Sequence, residues 1–257
     1  MSTISLSQDG AIVTVTLSNP GKLNALSFAM WERLHATFTA LAKNQSVRCV
    51  IVRGAGANFA AGADVEEFPR LRSTVEQGIH YHEHVIAPAL QAIAECPHPT
   101  VAAIEGACVG GGLEIACACD LRIASASSRF GIPINRLGFP LAPGELQGLL
   151  QLVGKARTLE ILLEGRVFDA AEAKDKGLLH RIVDDVHNAA NEAAARIAAG
   201  APLAARLNKA MVRRLTTVVA PLDQHELQAA FSFLTSHDYG EGVQSFLDKR
   251  PPIFTGE

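Results

Sequence analysis

No apolar run in the 257-residue chain reaches the roughly 20 residues needed to span a bilayer. The best candidate, Thr100 to Cys119, is interrupted by Glu105, Glu114 and four glycines. The first ten residues lack a basic segment followed by an apolar one, so no secretory leader is expected and the cytoplasm is the expected compartment. An excess of either charge is also missing. The balance of 23 Lys and Arg against 26 Asp and Glu leaves a net charge of -3, which argues against broad attachment to nucleic acid or to an anionic membrane. Any anionic partner must be met locally. The five cysteines are odd in number, and none stands in C-x-x-C or His-paired spacing; buried reduced thiols are expected, with no disulfide and no metal site. There is no internal sequence repeat and no low-complexity tract. What is present is globular: 48% hydrophobic and 19% charged residues, enough for one large domain or one domain with a helical appendage.

Ala11 to Leu17 alternates β-branched apolar residues with threonine and closes on Asn19-Pro20-Gly21, a strand followed by a turn. Ser27 is placed to cap a helix through about Lys43, with Met30, Leu34 and Leu41 on its apolar face. Cys49 to Val52 reads as a buried strand that ends in the glycine-rich segment Gly54 to Asp64. The pattern then repeats: a helix within Val75 to Glu95, a buried strand at Val101 to Ile104, a second glycine-rich stretch, an apolar helix over Leu113 to Cys119, and strands at Leu121 to Ala124 and Arg129 to Gly131. Strand, glycine-rich loop and helix in that order, twice, predict an α/β core whose loops and helix starts converge on a site. From about Pro143 the chain becomes helical over Leu146 to Val153, Ala156 to Glu164 and Ala170 to Lys176. Val186 to Phe246 is nearly all helix, with breaks near Gly200-Pro202 and Pro221.

Gly110-Gly111-Gly112 stand where the apolar helix begins and strip its N-terminus of side chains, so a ligand can approach amides that have no intrahelical partner. Glu114, three residues beyond Gly111, shares its helix face. A carboxylate beside an oxyanion donor points to carbonyl chemistry; the alternative is close helix packing on the glycines with Glu114 solvated. Asn58 to Asp64 is a second small-residue loop after a strand. If the two loops face each other, the Ala63 and Gly111 N–H groups make a two-donor oxyanion hole, and the Asp64 side chain is expected to cap the turn beginning at Val65.

Other signals are weaker. Gly54-Ala55-Gly56-Ala57-Asn58-Phe59 follows a strand but has Phe59 in its sixth position and no acid about 20 residues on, against a dinucleotide site. Of His80, His82 and His84 only the outer two share a helix face, and Ile86 stands where a zinc protease has its second histidine, so solvated or cavity-rim histidines are expected. Ser125, Ser127 and Ser128 lack a G-x-S-x-G setting. Lys209, Arg213 and Arg214 form a basic helix patch expected to be solvated or at an interface.

Asn19-Pro20, Lys22 to Leu26, Phe59 to Asp64, Gly106 through Gly110 to Glu114, Cys119-Asp120, Phe130-Gly131, Ala171-Glu172-Ala173 and Phe246-x-x-Lys249-Arg250 together resemble the crotonase superfamily, the enoyl-CoA hydratase/isomerase family, over nearly the whole chain. The resemblance implies an α/β, crotonase-like (ClpP/crotonase) spiral of repeated ββα units over residues 1–199, and a C-terminal helical region, 200–257, that builds homotrimers or hexamers made of two trimers. It implies an enzyme of the hydratase or isomerase kind acting on acyl-CoA thioesters, with no metal or other cofactor and with coenzyme A present as part of the substrate. Ala63 and Gly111 would supply the oxyanion hole and Glu114 the acid/base. Lys22, Ala25, Ala61, Gly62, Asp64 and Val65 would hold the CoA moiety, and Lys249 would reach its phosphates, from its own or an adjacent subunit. Gly110, Pro133, Ile134, Leu141 and Phe246 complete the expected substrate contacts.

One departure limits the analogy. Family hydratases carry a second glutamate after Phe-Gly-x-Pro, and here Phe130-Gly131-Ile132-Pro133 is followed by Ile134. Either Glu114 works alone or another acid has moved in. Glu145 is nearest, and its place third in a helix opened by Pro143 is also explained by the helix dipole alone. A non-catalytic acyl-CoA-binding homologue, or a decarboxylase or C–C lyase on the same scaffold, are the alternatives. The cavity is expected to be shaped by the Val75 to Glu95 helix and the Ile134 to Glu145 loop.

Overall fold

The structure, a computed structural model, describes residues 2–216, 223–253 and 255. It opens on an antiparallel hairpin, β1 (Thr3–Asp9) and β2 (Ile12–Ser18), turning at Gly10. β1 escapes a pattern-based reading because only Ile4 of its seven residues is buried. Helix α1 (Phe28–Lys43) is capped as expected, the Met30 N–H donating to Ser27 Oγ, and buries Met30, Trp31, Leu34, Phe38 and Leu41. β3 (Cys49–Gly54) follows, then α2 (Phe68–Leu71), α3 (Val75–Tyr81) and α4 (Ala87–Glu95).

The single helix expected between Val75 and Glu95 is divided. His82–Ile86 winds as a π turn in which the Ala87 N–H donates to the His82 carbonyl five residues back. Pro88, with no N–H to return to the preceding turn, explains why the widening falls here.

β4 (Thr100–Ile104), β5 (Ala107–Val109), α5 (Gly111–Ala118), β6 (Leu121–Ser125) and β7 (Arg129–Gly131) come next. α6 (Pro143–Glu164) is interrupted at Gly154, whose φ of 72° breaks it near the expected gap between Val153 and Ala156. β8 (Phe168–Asp169), α7 (Ala170–Asp175), β9 (Arg181–Val183) and α8 (Val186–Ala199) complete the core, and α9 (Pro202–Leu215), α10 (Gln224–Ala230) and α11 (His237–Leu247) follow. The break expected near Pro221 lies outside the described residues.

Six strands form one sheet in the order β1-β2-β3-β4-β6-β9, parallel except at the opening hairpin; β5, β7 and β8 form a second, smaller sheet. The central strands are apolar on both faces because both are covered, as parallel sheets require. Alternate residues divide between two cores. Cys49, Ile51, Val101, Ala103 and Ile123 pack against Val186, Ala190, Ala193 and Ala194 of α8. Val50, Val52, Ala102, Ile104 and Ala124 face the main core with Leu34, Phe38 and Ile93. β5, β8 and β9 are too short to have shown a period.

Phe231, Leu234, Tyr239 and Val243 join the main core. α9 buries no residue and is attached by polar arms: Lys209 Nζ to Asp120 Oδ2 at 2.7 Å, Arg213 to Glu95 at 2.9 Å, and Arg206 to Gln45 at 2.6 Å. Lys209 and Arg213 are thus paired within the chain, which corrects the expectation of a solvated or interface position for the nearly buried Lys209; Arg213 and Arg214 stay exposed. On α9, Leu203, Leu207, Met211, Val212 and Leu215 are 57% to 76% exposed. All five cysteines are buried free thiols, and burial pushes Cys49, Cys117 and Cys119 up to about 12.

Candidate active site

Three loops meet over a cavity of about 300 Å³. The first, residues 19–26, is held by its asparagines. Asn24 Oδ1 accepts the Asn19 N–H at 3.1 Å, and Asn24 Nδ2 donates to the carbonyls of Ala55 and Asn58 at 2.9 and 2.7 Å. Leu23 and Asn24 both take left-handed backbone angles, φ 48° and 58°. Local side-chain bonding lets Asn adopt that region readily. This places Lys22 and Ala25 on the cavity wall.

The second loop brings Ala61, Gly62, Ala63, Asp64 and Val65 to the same wall. It is pinned on both sides: Ala60 N–H to Ala107 O at 2.9 Å, Leu26 N–H to Gly62 O at 2.7 Å, and Asp64 N–H to Leu26 O at 2.9 Å. In this parallel bridge the bonds to residues 62 and 64 leave the Ala63 N–H pointing away from Leu26. Asp64 does not cap the following turn, contrary to expectation. Instead Lys22 Nζ captures its carboxylate at 2.7 Å, holding it away from the turn, and also reaches Glu66 at 2.7 Å. The two acids raise the Lys22 pKa.

The third loop ends at Gly110, which lies against Gly62. Both have positive φ, 51° and 105°, and a Cβ added to Gly62 would stand 3.3 Å from the Val109 carbonyl oxygen and 3.9 Å from the Gly111 nitrogen. The two strips of backbone approach closely here, and Ala63 and Gly111, each next in sequence to one of these glycines, both line the cavity. α5 begins at Gly111, one residue before the run of three glycines ends, so the Gly111 N–H precedes every intrahelical bond. Glu114, in the first turn, is buried on the cavity wall. Burial, and then the charge of Glu145, push its carboxyl well above the usual range.

Ile134, where a second acid was sought, is an apolar wall residue beside Pro133 and Leu141. The carboxylate in the cavity is instead Glu145, third residue of α6, buried with Oε1 2.5 Å from His82 Nδ1. Burial pushes Glu145 up to about 8, opposed by the nearby Arg72, and pushes His82 well below its usual value. Both shifts favour the neutral forms, and the two side chains share one buried hydrogen bond between Glu145 Oε1 and His82 Nδ1. His82 Nε2 is left without a partner. The expectation of a solvated or rim histidine is corrected for His82: the π turn rotates it inward. His80 and His84 lie side by side on the helix, their tilted rings 5.7 Å apart. Among the described residues no group of three or more His, Cys, Asp or Glu is placed to hold a metal ion.

Beyond the glutamates the wall becomes aromatic, with Tyr81, Phe68 and Phe139 in edge contacts, and Arg72 among them. Of the residues expected to touch substrate, all line the cavity except Lys249. Lys249 sits exposed with φ 56° just beyond α11; the turn that ends the helix carries it out of its own chain's cavity, while Phe246, one turn earlier, reaches the rim. Arg72 and Tyr81 are site residues that carried no sequence signal, and His82 was weighed only as one of three closely spaced histidines, not as a partner of Glu145. Only Pro88 hinted at the π turn, and the Arg72 segment matches no motif.

The sequence model of the enoyl-CoA hydratase/isomerase family matches residues 7–257. A relative from Arabidopsis thaliana, named as probable mitochondrial enoyl-CoA hydratase 2, is 34% identical over 96% of this chain and 83% of its own. A crystal structure of an enoyl-CoA hydratase/carnithine racemase from Magnetospirillum magneticum is 46% identical, covers 100% of this chain and 97% of that one, and has a TM-score of 0.82. A methylmalonyl-CoA decarboxylase in complex with 2-nitronate-propionyl-CoA is 25% identical, with coverage of 99% and 98% and a TM-score of 0.87. Fold, loops and glycine-framed glutamate thus agree with kinship along the whole chain, which belongs to the enoyl-CoA hydratase/isomerase family of the crotonase superfamily.

Proposed function

We propose that the chain hydrates enoyl-CoA thioesters, or dehydrates the corresponding hydroxyacyl-CoA, with Ala63 and Gly111 binding the thioester oxygen and Glu114 and Glu145 exchanging protons. The observation that supports this reading is that two buried carboxyls outside any Lys or Arg ion pair among the described residues, Glu114 and Glu145, line one cavity with Ala63 and Gly111. Adding water across a conjugated double bond forms a C–O bond at the β-carbon and moves the electron pair onto the thioester oxygen. Two fixed N–H dipoles stabilise that oxyanion in a water-poor site, each lowering the barrier by roughly 2.7 to 4 kcal/mol. The water must lose one proton and the α-carbon gain one.

Two neighbouring buried carboxyls serve those needs because they do not ionise together: once one has lost its proton, its charge holds the other's in place. Both carboxyls are shifted toward the protonated form, so the state with one base and one acid is expected to grow as the pH rises toward 8. Glu145 thereby takes the position that Ile134 vacates, approaching from the start of α6. Isomerisation, the shift of a double bond along the acyl chain, needs only one of the two.

Glu114→Gln and Glu145→Gln are each expected to lower the turnover of crotonyl-CoA by about 10² to 10⁴ while acyl-CoA binding stays near that of the parent. Loss of conjugated-thioester absorbance and calorimetric binding read the two effects. If Glu145→Gln hydrates as the parent does, Glu145 has no part in the chemistry. Binding without turnover in the parent itself favours a non-catalytic homologue, and product mass separates a decarboxylase or lyase. The exposed apolar residues of α9 support self-association, and trimers or pairs of trimers are the assembly proposed.

A further inference from the structure

Arg72 is 1% exposed, yet its charge has no carboxylate partner. Its Nε and Nη2 are buried without an acceptor, and no ion pair includes it among the described residues. The guanidinium lies in an aromatic box, 4.2 Å from the centre of the Phe139 ring and 4.3 Å from that of Phe68, with Tyr239 and Phe233 at 5.4 and 5.8 Å. Ring faces attract a cation, but they accept none of its in-plane hydrogen bonds. The box fixes the guanidinium plane and leaves its donor edge unsatisfied. Arg72 lines the cavity, as do Phe68, Phe139, Tyr81 and Glu145.

Glu145 is not the missing counter-ion. No ion pair joins the two, and its hydrogen bond is made to His82. Burial lowers the Arg72 pKa, the direction expected of a cation taken from water without an anion.

We infer that Arg72 receives a carboxylate carried on the acyl group, so that the preferred substrates are acyl-CoA thioesters whose acyl chain bears a second, free carboxylate. A planar fork of N–H donors matches a carboxylate, and the aromatic walls exclude the water that would compete for it. The group must arrive on the acyl chain, because Arg72 lies with the acid pair and the aromatic wall, whereas CoA was assigned to the loops around Lys22 and Ala61. This inference rests on the acyl-CoA reading above.

The test uses unreactive saturated thioesters of matched length: glutaryl-CoA against pentanoyl-CoA and adipoyl-CoA against hexanoyl-CoA, measured by calorimetry with the full-length parent. The expected result is that at least one carboxylate-ended member binds ten- to a hundredfold tighter than its neutral partner. In Arg72→Met that ratio should fall below threefold, and in Arg72→Lys, which keeps the charge without the fork, it should lie between. 5-Hydroxypentanoyl-CoA should bind like pentanoyl-CoA. Equal affinity within both pairs in the parent overturns the inference and leaves the acyl-CoA reading standing; failure to bind any of the thioesters overturns both. A preference that survives in folded Arg72→Met, or a hydroxyl-ended chain that binds as tightly as glutaryl-CoA, also overturns it. The parent measurements decide the matter even if the Met variant does not fold.

Discussion

Glu145 has charged or titratable neighbours from several elements: Tyr81, His82 and Glu83 on α3 and the π turn, Arg72 beyond α2, and Glu114 on α5. Burial dominates their sum. In the native chain Glu145 keeps its proton up to about 8, whereas the unfolded chain releases it near 4.5. Between those values the folded state binds more protons, so this contribution to stability is complete below about pH 4.5 and is lost as the pH rises through 8. Glu114, shifted in the same direction, adds to it. The ligand-free protein is therefore expected to lose stability from pH 5 to 8. Glu145→Gln should lessen that slope by up to about 1.4 kcal/mol per pH unit, the limit for one proton. Urea unfolding of parent and variant at four pH values in this range measures it; parallel slopes would show that Glu145 ionises freely in the native state.

Between residue and fold stands the loop 19–26, which bears on the cavity without belonging to helix or strand. Its left-handed turn depends on Asn24, which bonds to Asn19 and to the carbonyls of Ala55 and Asn58. Asn24→Ala removes those bonds and puts an alanine at a positive φ, and is expected to cost about 2 to 4 kcal/mol in denaturant unfolding. It should also raise the KM for acyl-CoA, because Lys22 and Ala25 move with the turn; an unchanged midpoint would mean that Asn24 does not hold the loop. Elements of this kind show what was legible beforehand. Strands such as β3 and β4, buried on both faces, and helices with a full apolar stripe such as α1 were readable from periodicity and caps. The glycine runs announced where the backbone would be bare. β1, exposed on nearly every residue, and β5, β8 and β9, two or three residues long, offered no period. The site divided along the same line: Ala63, Gly111 and Glu114 lie in motifs, whereas His82 and Arg72 enter through a local helix defect and an aromatic box, both products of tertiary packing.

At the scale of the whole molecule, α9 is the element that a single chain leaves incomplete, attached by charged arms and apolar outward. Sedimentation is expected to give a mass three or six times the chain's 27.2 kDa. Leu207→Lys combined with Met211→Lys should shift it toward the single chain; a monomeric parent would refute the proposed assembly. Lys249, pointing away from its own cavity, is the residue to follow in such an assembly. The buried cysteines carry a different consequence. Cys49, Cys96, Cys108, Cys117 and Cys119 are distributed over β3, the end of α4, β5 and α5, and the most shifted of them would require strong alkali to form the nucleophilic thiolate. An alkylating reagent therefore meets an inert surface while the chain is intact and five reactive sulfurs once those segments open, so the protein carries its own internal record of which layer gives way first.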